Sequence, residues 1–173
     1  MKTHIVSLVF LCFCLSGQVA EGNIFPHVIH EIIHHVGYYG LCRQPGWYKI
    51  QGNCYKFFHS RKTFEAAEAY CRLISHGGHL ASIHNPYQNR KLKDLIYSSN
   101  HANPRTWIGG KRKWGRFVWT DHSPWTYSKW VPGEPNNAGY VEQCVEMNWS
   151  YVGRWNDCKC YNRKPFICEY HPN

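Results

Sequence analysis

Residues 134–157 hold most of the chemistry this sequence offers. Glu134-Pro135-Asn136, Glu142 and Asn156-Asp157 supply three carboxylates and two side-chain amides, all hard oxygen donors. A hard cation such as Ca²⁺ collects six to eight oxygens from carboxylates, amide carbonyls and outside ligands. The set therefore predicts a protein that binds its ligand with the help of calcium.

A second constellation, His30-Glu31-Ile32-Ile33-His34, matches the HExxH pattern, in which two histidines one helical turn apart hold zinc and the glutamate activates water. Such a site needs a third ligand and a substrate cleft. The surrounding residues 23–41 have no cysteine to tie them to a scaffold that would supply either. His27, His30, His34 and His35 suit weak zinc or copper binding, and the same stretch suits a short amphipathic helix used for self-association. No Ser-His-Asp or Cys-His arrangement stands at recognisable spacing, so the chain is read as a non-enzyme. The run Lys111-Arg112-Lys113-Trp114-Gly115-Arg116 is the densest basic cluster and reads as a solvated loop between two strands. With neither repeated aromatic platforms nor a helix-in-groove motif, the chain predicts no nucleic-acid partner.

Positioning the loop residues falls to short aromatic runs separated by turns. Residues 47–58 read as two strands around Gln51-Gly52-Asn53. Residues 63–73 read as a helix with Glu65 in its first turn and Phe64, Ala67 and Tyr70 on one face. Asn85-Pro86 supplies an N-cap and an N1 proline for a second helix through Leu92, Leu95 and Ile96. Trp107-Ile108-Gly109 and residues 116–120, 143–149 and 165–170 read as strands, joined by long loops rich in Gly, Pro and Asn. Helices first and strands after, with no βαβ alternation, predict an α+β fold. Trp107, Trp119, Trp130 and Trp155 are expected to pack the core and its loops, and His76, His84 and His122 to lie at the surface.

Composition narrows the compartment. A chain of 173 residues accommodates one ordinary domain. Lys2 precedes an apolar run over residues 5–15, the length of a signal-peptide core and too short to span a bilayer. Small residues at Ala20 and Gly22 place cleavage after Gly22 or after Ala20. The expected organisation is a signal over residues 1–22, a His-rich extension over 23–41 and a binding domain over 42–173. No later segment is apolar enough to span a membrane, so the mature protein is expected to be secreted and soluble. Cys12 and Cys14 leave with the signal, and Cys42, Cys54, Cys71, Cys144, Cys158, Cys160 and Cys168 remain. In an oxidising compartment these read as a disulfide framework with one thiol left over. The net charge of +9 is unchanged by cleavage, because Lys2 and Glu21 leave together. It favours anionic partners in general, such as acidic glycans, bacterial surfaces or phosphate-rich polymers.

Several short pieces recur in one order: Gly46-Trp47 and Cys54-Tyr55, then Ala67-Glu68-Ala69-Tyr70-Cys71, His79-Leu80-Ala81-Ser82-Ile83, Trp107-Ile108-Gly109, Trp119-Thr120-Asp121, Glu134-Pro135-Asn136, Trp155-Asn156-Asp157 and Phe166-Ile167-Cys168-Glu169. In that order, residues 42–168 resemble a C-type lectin-like domain of the long form. They are similar to the small secreted single-domain lectins of the fish, venom and regenerating-protein types. The resemblance implies two helices with small antiparallel sheets, long calcium-binding loops, and disulfides Cys42–Cys54, Cys71–Cys168 and Cys144–Cys160. Cys160 is preferred to Cys158 because the family's cysteine falls three residues after the Asp of Trp-Asn-Asp and eight before the last cysteine. Cys158 is then the odd thiol. It is expected near the surface, free, capped, or bridging two chains as a homodimer.

The resemblance also implies that Glu134, Asn136, Glu142, Asn156 and Asp157 hold one principal calcium and contact a sugar. The positions of an auxiliary ion carry Gly110, Trp114, Asn137 and Gln143, none of them acidic. Two vicinal hydroxyls of a sugar can complete the shell, each accepting from an amide NH₂ and donating to a carboxylate. In this family Glu-Pro-Asn accompanies mannose, fucose or N-acetylglucosamine, and Gln-Pro-Asp accompanies galactose. Ala138 stands where galactose binders tend to carry a stacking Trp, so the implied partners are glycans with mannose-type hydroxyls. Pro135 is expected to follow a cis bond, as is usual in the family. Asn148-Trp149-Ser150 is a glycosylation sequon at a strand end, where it is expected to be enclosed. Two other roles suit this fold and charge: a module for a protein, ice or mineral ligand, and a cationic antimicrobial protein.

Overall fold

A computed structural model describes Cys42 and residues 44–172. The expected signal, the His-rich extension and the HExxH match lie outside the described residues.

Strand β1 (Tyr48–Ile50) turns into β2 (Asn53–Lys62) with Ile50 facing Asn53. The two residues between them, Gln51 and Gly52, have φ of 48° and 95°, the left-handed geometry whose twist matches a tight hairpin. Helix α1 (Phe64–Ile74) starts where Thr63 accepts from the Ala66 N–H, and it buries Phe64, Ala67 and Cys71 along one face. Strand β3 (His79–Leu80) is only two residues long. Helix α2 (Pro86–Asn100) is capped by Asn85, which accepts from the Gln88 N–H at 2.9 Å. It runs past the expected apolar stripe and stops at His101, whose left-handed backbone turns its N–H back to the Tyr97 carbonyl.

The remaining strands are β4 (Thr106–Lys113), β5 (Arg116–Trp119), β6 (Cys144–Met147), β7 (Trp155–Cys158) and β8 (Lys164–Tyr170). One sheet runs in the order β1-β2-β8-β4-β6-β7, with β3 beside β8 and β5 beside β4. All pairs are antiparallel except β4 with β8, where Trp107 meets Phe166. The architecture is the expected α+β one. Two strands were not expected. β3 is too short to show a period, and β7 contains Asn156 and Asp157, residue types depleted from strands. Pairing along all four residues of β6 overrides that preference.

Trp107, Trp119 and Trp155 are buried, and Trp130, partly buried, packs against Trp155. The disulfides are Cys42–Cys54, Cys71–Cys168 and Cys144–Cys160, with Cα separations of 5.8, 5.3 and 5.2 Å, all within the bridging range.

One buried acid sets a pH dependence for the whole fold. Glu169 on β8 accepts from the Ser82 N–H at 3.0 Å and from the Ser82 hydroxyl at 2.6 Å. Burial is the main cause that pushes its pKa up to about 8, and the nearby Asp121 charge adds to the shift. The unfolded chain releases this proton near the ordinary carboxylate value while the folded chain keeps it, so stability falls as pH rises between those two values. The loss should approach ~1.4 kcal/mol per pH unit inside that window. Urea unfolding across the range should show the decline, and Glu169→Gln should flatten it. An equally steep decline in that variant would place the titration elsewhere.

Candidate functional site

The site is built where the β6–β7 hairpin meets the loop over residues 131–143. Asp157 lies on β7 opposite Val145 and is 0% exposed. Its Oδ1 accepts from the Asn136 N–H at 3.1 Å and its Oδ2 from the Asn137 N–H at 2.8 Å. A strand side chain thus clamps the loop onto the sheet edge. Arg112 of β4 completes the clamp, with Nη2 at 3.4 Å from Oδ2.

Above the clamp, the Glu134–Pro135 bond is cis, as expected. Glu134 accepts from both the backbone N–H of Asn136 at 3.1 Å and its Nδ2 at 3.0 Å. The Asn136 Oδ1 accepts from the Ala138 N–H at 2.8 Å, and Glu142 Oε2 lies 3.2 Å from the same nitrogen. Four of the expected ligands, Glu134, Asn136, Glu142 and Asp157, are therefore joined in one hydrogen-bonded loop end. Asn156 points elsewhere. Neighbouring strand residues face opposite sides, and its Nδ2 donates to Glu146 Oε1 at 2.9 Å in the interior.

Charge at the loop end is unbalanced. Burial raises the Glu134 carboxyl first, and hydrogen bonding to Asp157 with the charges of Asp157 and Glu142 raises it further. Among the described residues the one cation within ion-pair distance of these three acids is Arg112, at Asp157. Among the described residues no three His, Cys, Asp or Glu side chains are gathered closely enough to hold a metal by themselves. The donor set nevertheless fits a hard cation in its chemistry: surplus carboxylate charge, amide oxygens beside it, and no soft ligand.

Three supporting residues were not singled out as such from sequence. Asn137, with φ of 48°, accepts from the Glu142 N–H at 3.1 Å and from Gln143 Nε2 at 2.9 Å, bracing the loop across its own width. Its one sequence signal is that Asn tolerates the left-handed region. Arg112 belonged to a run that reads as solvated, yet its guanidinium also stacks 4.5 Å above the Phe117 ring. Glu146 is wholly buried, bound by Arg105 and by Lys164 at 3.0 Å, and it holds Asn156 in place.

Two expectations change. Cys158 is 2% exposed rather than near the surface, because its strand position opposite Cys144 points inward. Asn162 Nδ2 lies 3.1 Å from its sulfur. A bridge to a second chain through this thiol would require β7 to open. At Asn148 the enclosure expected of the sequon is observed. Its Nδ2 donates to the Pro104 carbonyl at 3.2 Å and its Oδ1 accepts from the Gly153 N–H at 2.7 Å, so a glycan there would break the first bond.

Fold and loop together define a disulfide-stapled binding module. Residues 60–170 match the Lectin C-type domain, and the chain belongs to that family, whose domains bind ligands rather than catalyse reactions. A lectin of Pleurodeles waltl is 41% identical over 128 residues, covering 73% of this chain and 74% of that protein. A C-type lectin mannose-binding isoform of Oxyuranus scutellatus is 37% identical, covering 74% and 83%. Among solved structures, a calcium-independent type II antifreeze protein superposes with a TM-score of 0.67 at 30% identity, covering 76% of this chain and 96% of that one. No helix among the described residues is long and apolar enough to cross a membrane.

Proposed function

We propose that residues 42–173 form the carbohydrate-recognition domain of a secreted, calcium-dependent lectin of mannose-type preference, preceded by a signal over 1–22 and an extension over 23–41. Glu134, Asn136, Glu142, Asn156 and Asp157 would hold one calcium, which supplies positive charge and open coordination positions to two sugar hydroxyls. The observation that carries this reading is the loop end itself: Glu134, Asp157 and Glu142 are linked through the Asn136 and Ala138 N–H groups and the Asn136 amide, with Asn136 exposed. Asn156 would have to turn its oxygen toward that loop end, while Glu146 keeps its nitrogen engaged. The mannose-binding name of the Oxyuranus relative supports the sugar class. Secretion agrees with three disulfides, which persist in oxidising compartments.

The test is retention on mannose-agarose in calcium, with elution by chelator or free mannose. Retention that persists in chelator, or none in calcium, rejects the reading. The second outcome would favour a non-sugar ligand, a possibility that the calcium-independent antifreeze neighbour keeps open.

Sugar preference should follow the order of acid and amide. In Glu134→Gln with Asn136→Asp the donor and acceptor exchange places while the loop keeps one of each, so each hydroxyl meets the opposite partner. Preference should move from mannose toward galactose, measured by competition with the two free sugars. The move should be modest, since Ala138 offers no ring for the apolar face of galactose. Unchanged preference in a calcium-loaded double variant would locate selectivity outside these two residues.

A further inference from the structure

The hairpin between β4 and β5 carries a residue that packing does not explain. Lys113 and Arg116 face each other in register, and Trp114-Gly115 makes the turn with φ of 50° and 78°. Such turns select Asn-Gly or Asp-Gly, because both positions are left-handed and a bulky side chain there is sterically disfavoured. Trp114 nevertheless occupies the first position. It is 86% exposed, so its indole adds nothing to the core. A large apolar ring held in water at an unfavourable turn position points to a ligand that covers it.

Beside the turn lies a cleft of about 620 Å³ walled by Lys113, Trp114, Arg116, Phe117, Trp125 and Trp130. Trp125 and Trp130 stack with centroids 6.2 Å apart, and Phe117 lies 4.9 Å from Trp130. Those contacts hold the rings rigid, and partial burial leaves part of each open to the cleft. Not every cation of the hairpin is available, since Lys111 pairs with Glu65 and Arg112 with Asp157. Lys113 and Arg116 are exposed, and among the described residues neither has an acidic partner within ion-pair distance.

We propose that this cleft binds an acidic polysaccharide without calcium, its sulfate or carboxylate groups on Lys113 and Arg116 and its sugar rings against Trp114 and Trp125. Sugar rings present C–H faces that pack on indole, and anionic substituents form charge-assisted hydrogen bonds with Lys and Arg. A bare phosphate polymer would leave the aromatic wall uncovered, and an apolar peptide would leave the cations unused. The net charge of +9 draws such a polymer in from a distance. Arg112 joins this cleft to the candidate ion site, because it stacks on Phe117 and reaches Asp157. The side chains that would touch ligand differ between the two sites.

The experiment titrates the full secreted chain with a size-defined heparin hexasaccharide in chelator, followed by calorimetry and tryptophan fluorescence. Binding should occur without calcium and weaken as salt is raised. Lys113→Ala with Arg116→Ala should lower affinity at least about tenfold. Trp114→Asn should lower it several-fold while Tm stays unchanged or rises, since Asn-Gly is the favoured pair at this turn. Lys49→Ala with Arg72→Ala removes the same charge from exposed positions elsewhere and should change affinity by less than about twofold. Glu134→Gln should bind the hexasaccharide as the wild type does, so failure of this proposal and failure of the mannose reading are separable. No binding in chelator, equal loss in the Lys49 and Arg72 control, loss in Glu134→Gln, or displacement of the hexasaccharide by phosphatidylserine vesicles at matched charge would each overturn the assignment.

Discussion

Asp157→Ala is expected to abolish calcium-dependent retention on mannose and to lower the stability of the calcium-free domain by about 3 kcal/mol. Both effects come from one buried carboxylate. Its oxygens accept from the Asn136 and Asn137 backbone N–H groups and face Arg112, so truncation leaves two donors and a largely covered cation without their acceptor. A buried donor stripped of its partner costs more than the bond contributed, because water cannot replace the lost group. The loop carrying Glu134 and Asn136 would then lose its attachment to β7. Asp157→Asn separates the two consequences. It restores one oxygen acceptor and recovers part of the stability, yet it removes a charge from the proposed cation site and should still fail to bind. Calorimetric calcium titration and urea unfolding of both variants give the readouts. Retained calcium affinity in Asp157→Ala would remove this residue from the site and with it the proposed geometry.

Removing the Cys71–Cys168 bridge by double alanine substitution should cost about 4.7 kcal/mol, against about 2.8 kcal/mol for Cys42–Cys54. The ranking follows from loop closure, since the first bridge spans 97 residues and the second 12. Cross-linking distant residues removes far more conformations from the unfolded chain. The first bridge also ties α1 to β8 at the centre of the sheet, where both cysteines are wholly buried. Denaturant midpoints for the two variants should therefore fall in that order. A larger loss for the short loop would mean that local packing, not chain entropy, dominates these cross-links.

Local signals in the sequence were sufficient for much of this architecture. Asn85 caps α2 as its side-chain oxygen allows, and the apolar spacing along α1 and α2 names the faces they bury. The buried tryptophans and the three disulfides follow the motif order. Caps, turns and helical stripes are legible because each acts over a few residues, whereas the pairing of distant cysteines came only from the resemblance to the family. The identities of the candidate ligands were legible locally too: acid and amide types announce their chemistry wherever they stand.

What tertiary structure alone decided lies in the long-range pairings. β7 is a strand because β6 lies beside it, against the preference of Asn156 and Asp157. That register sends Asp157 to the loop, Asn156 to Glu146, and Cys158 into the interior instead of to the surface. Arg112 and Lys113 are one residue apart in a single basic run, yet one is committed to Asp157 and the other, without an acidic partner among the described residues, lines the cleft. Side-chain direction in a strand alternates with each residue, so the partner each group meets depends on register, and register is set by segments tens of residues away.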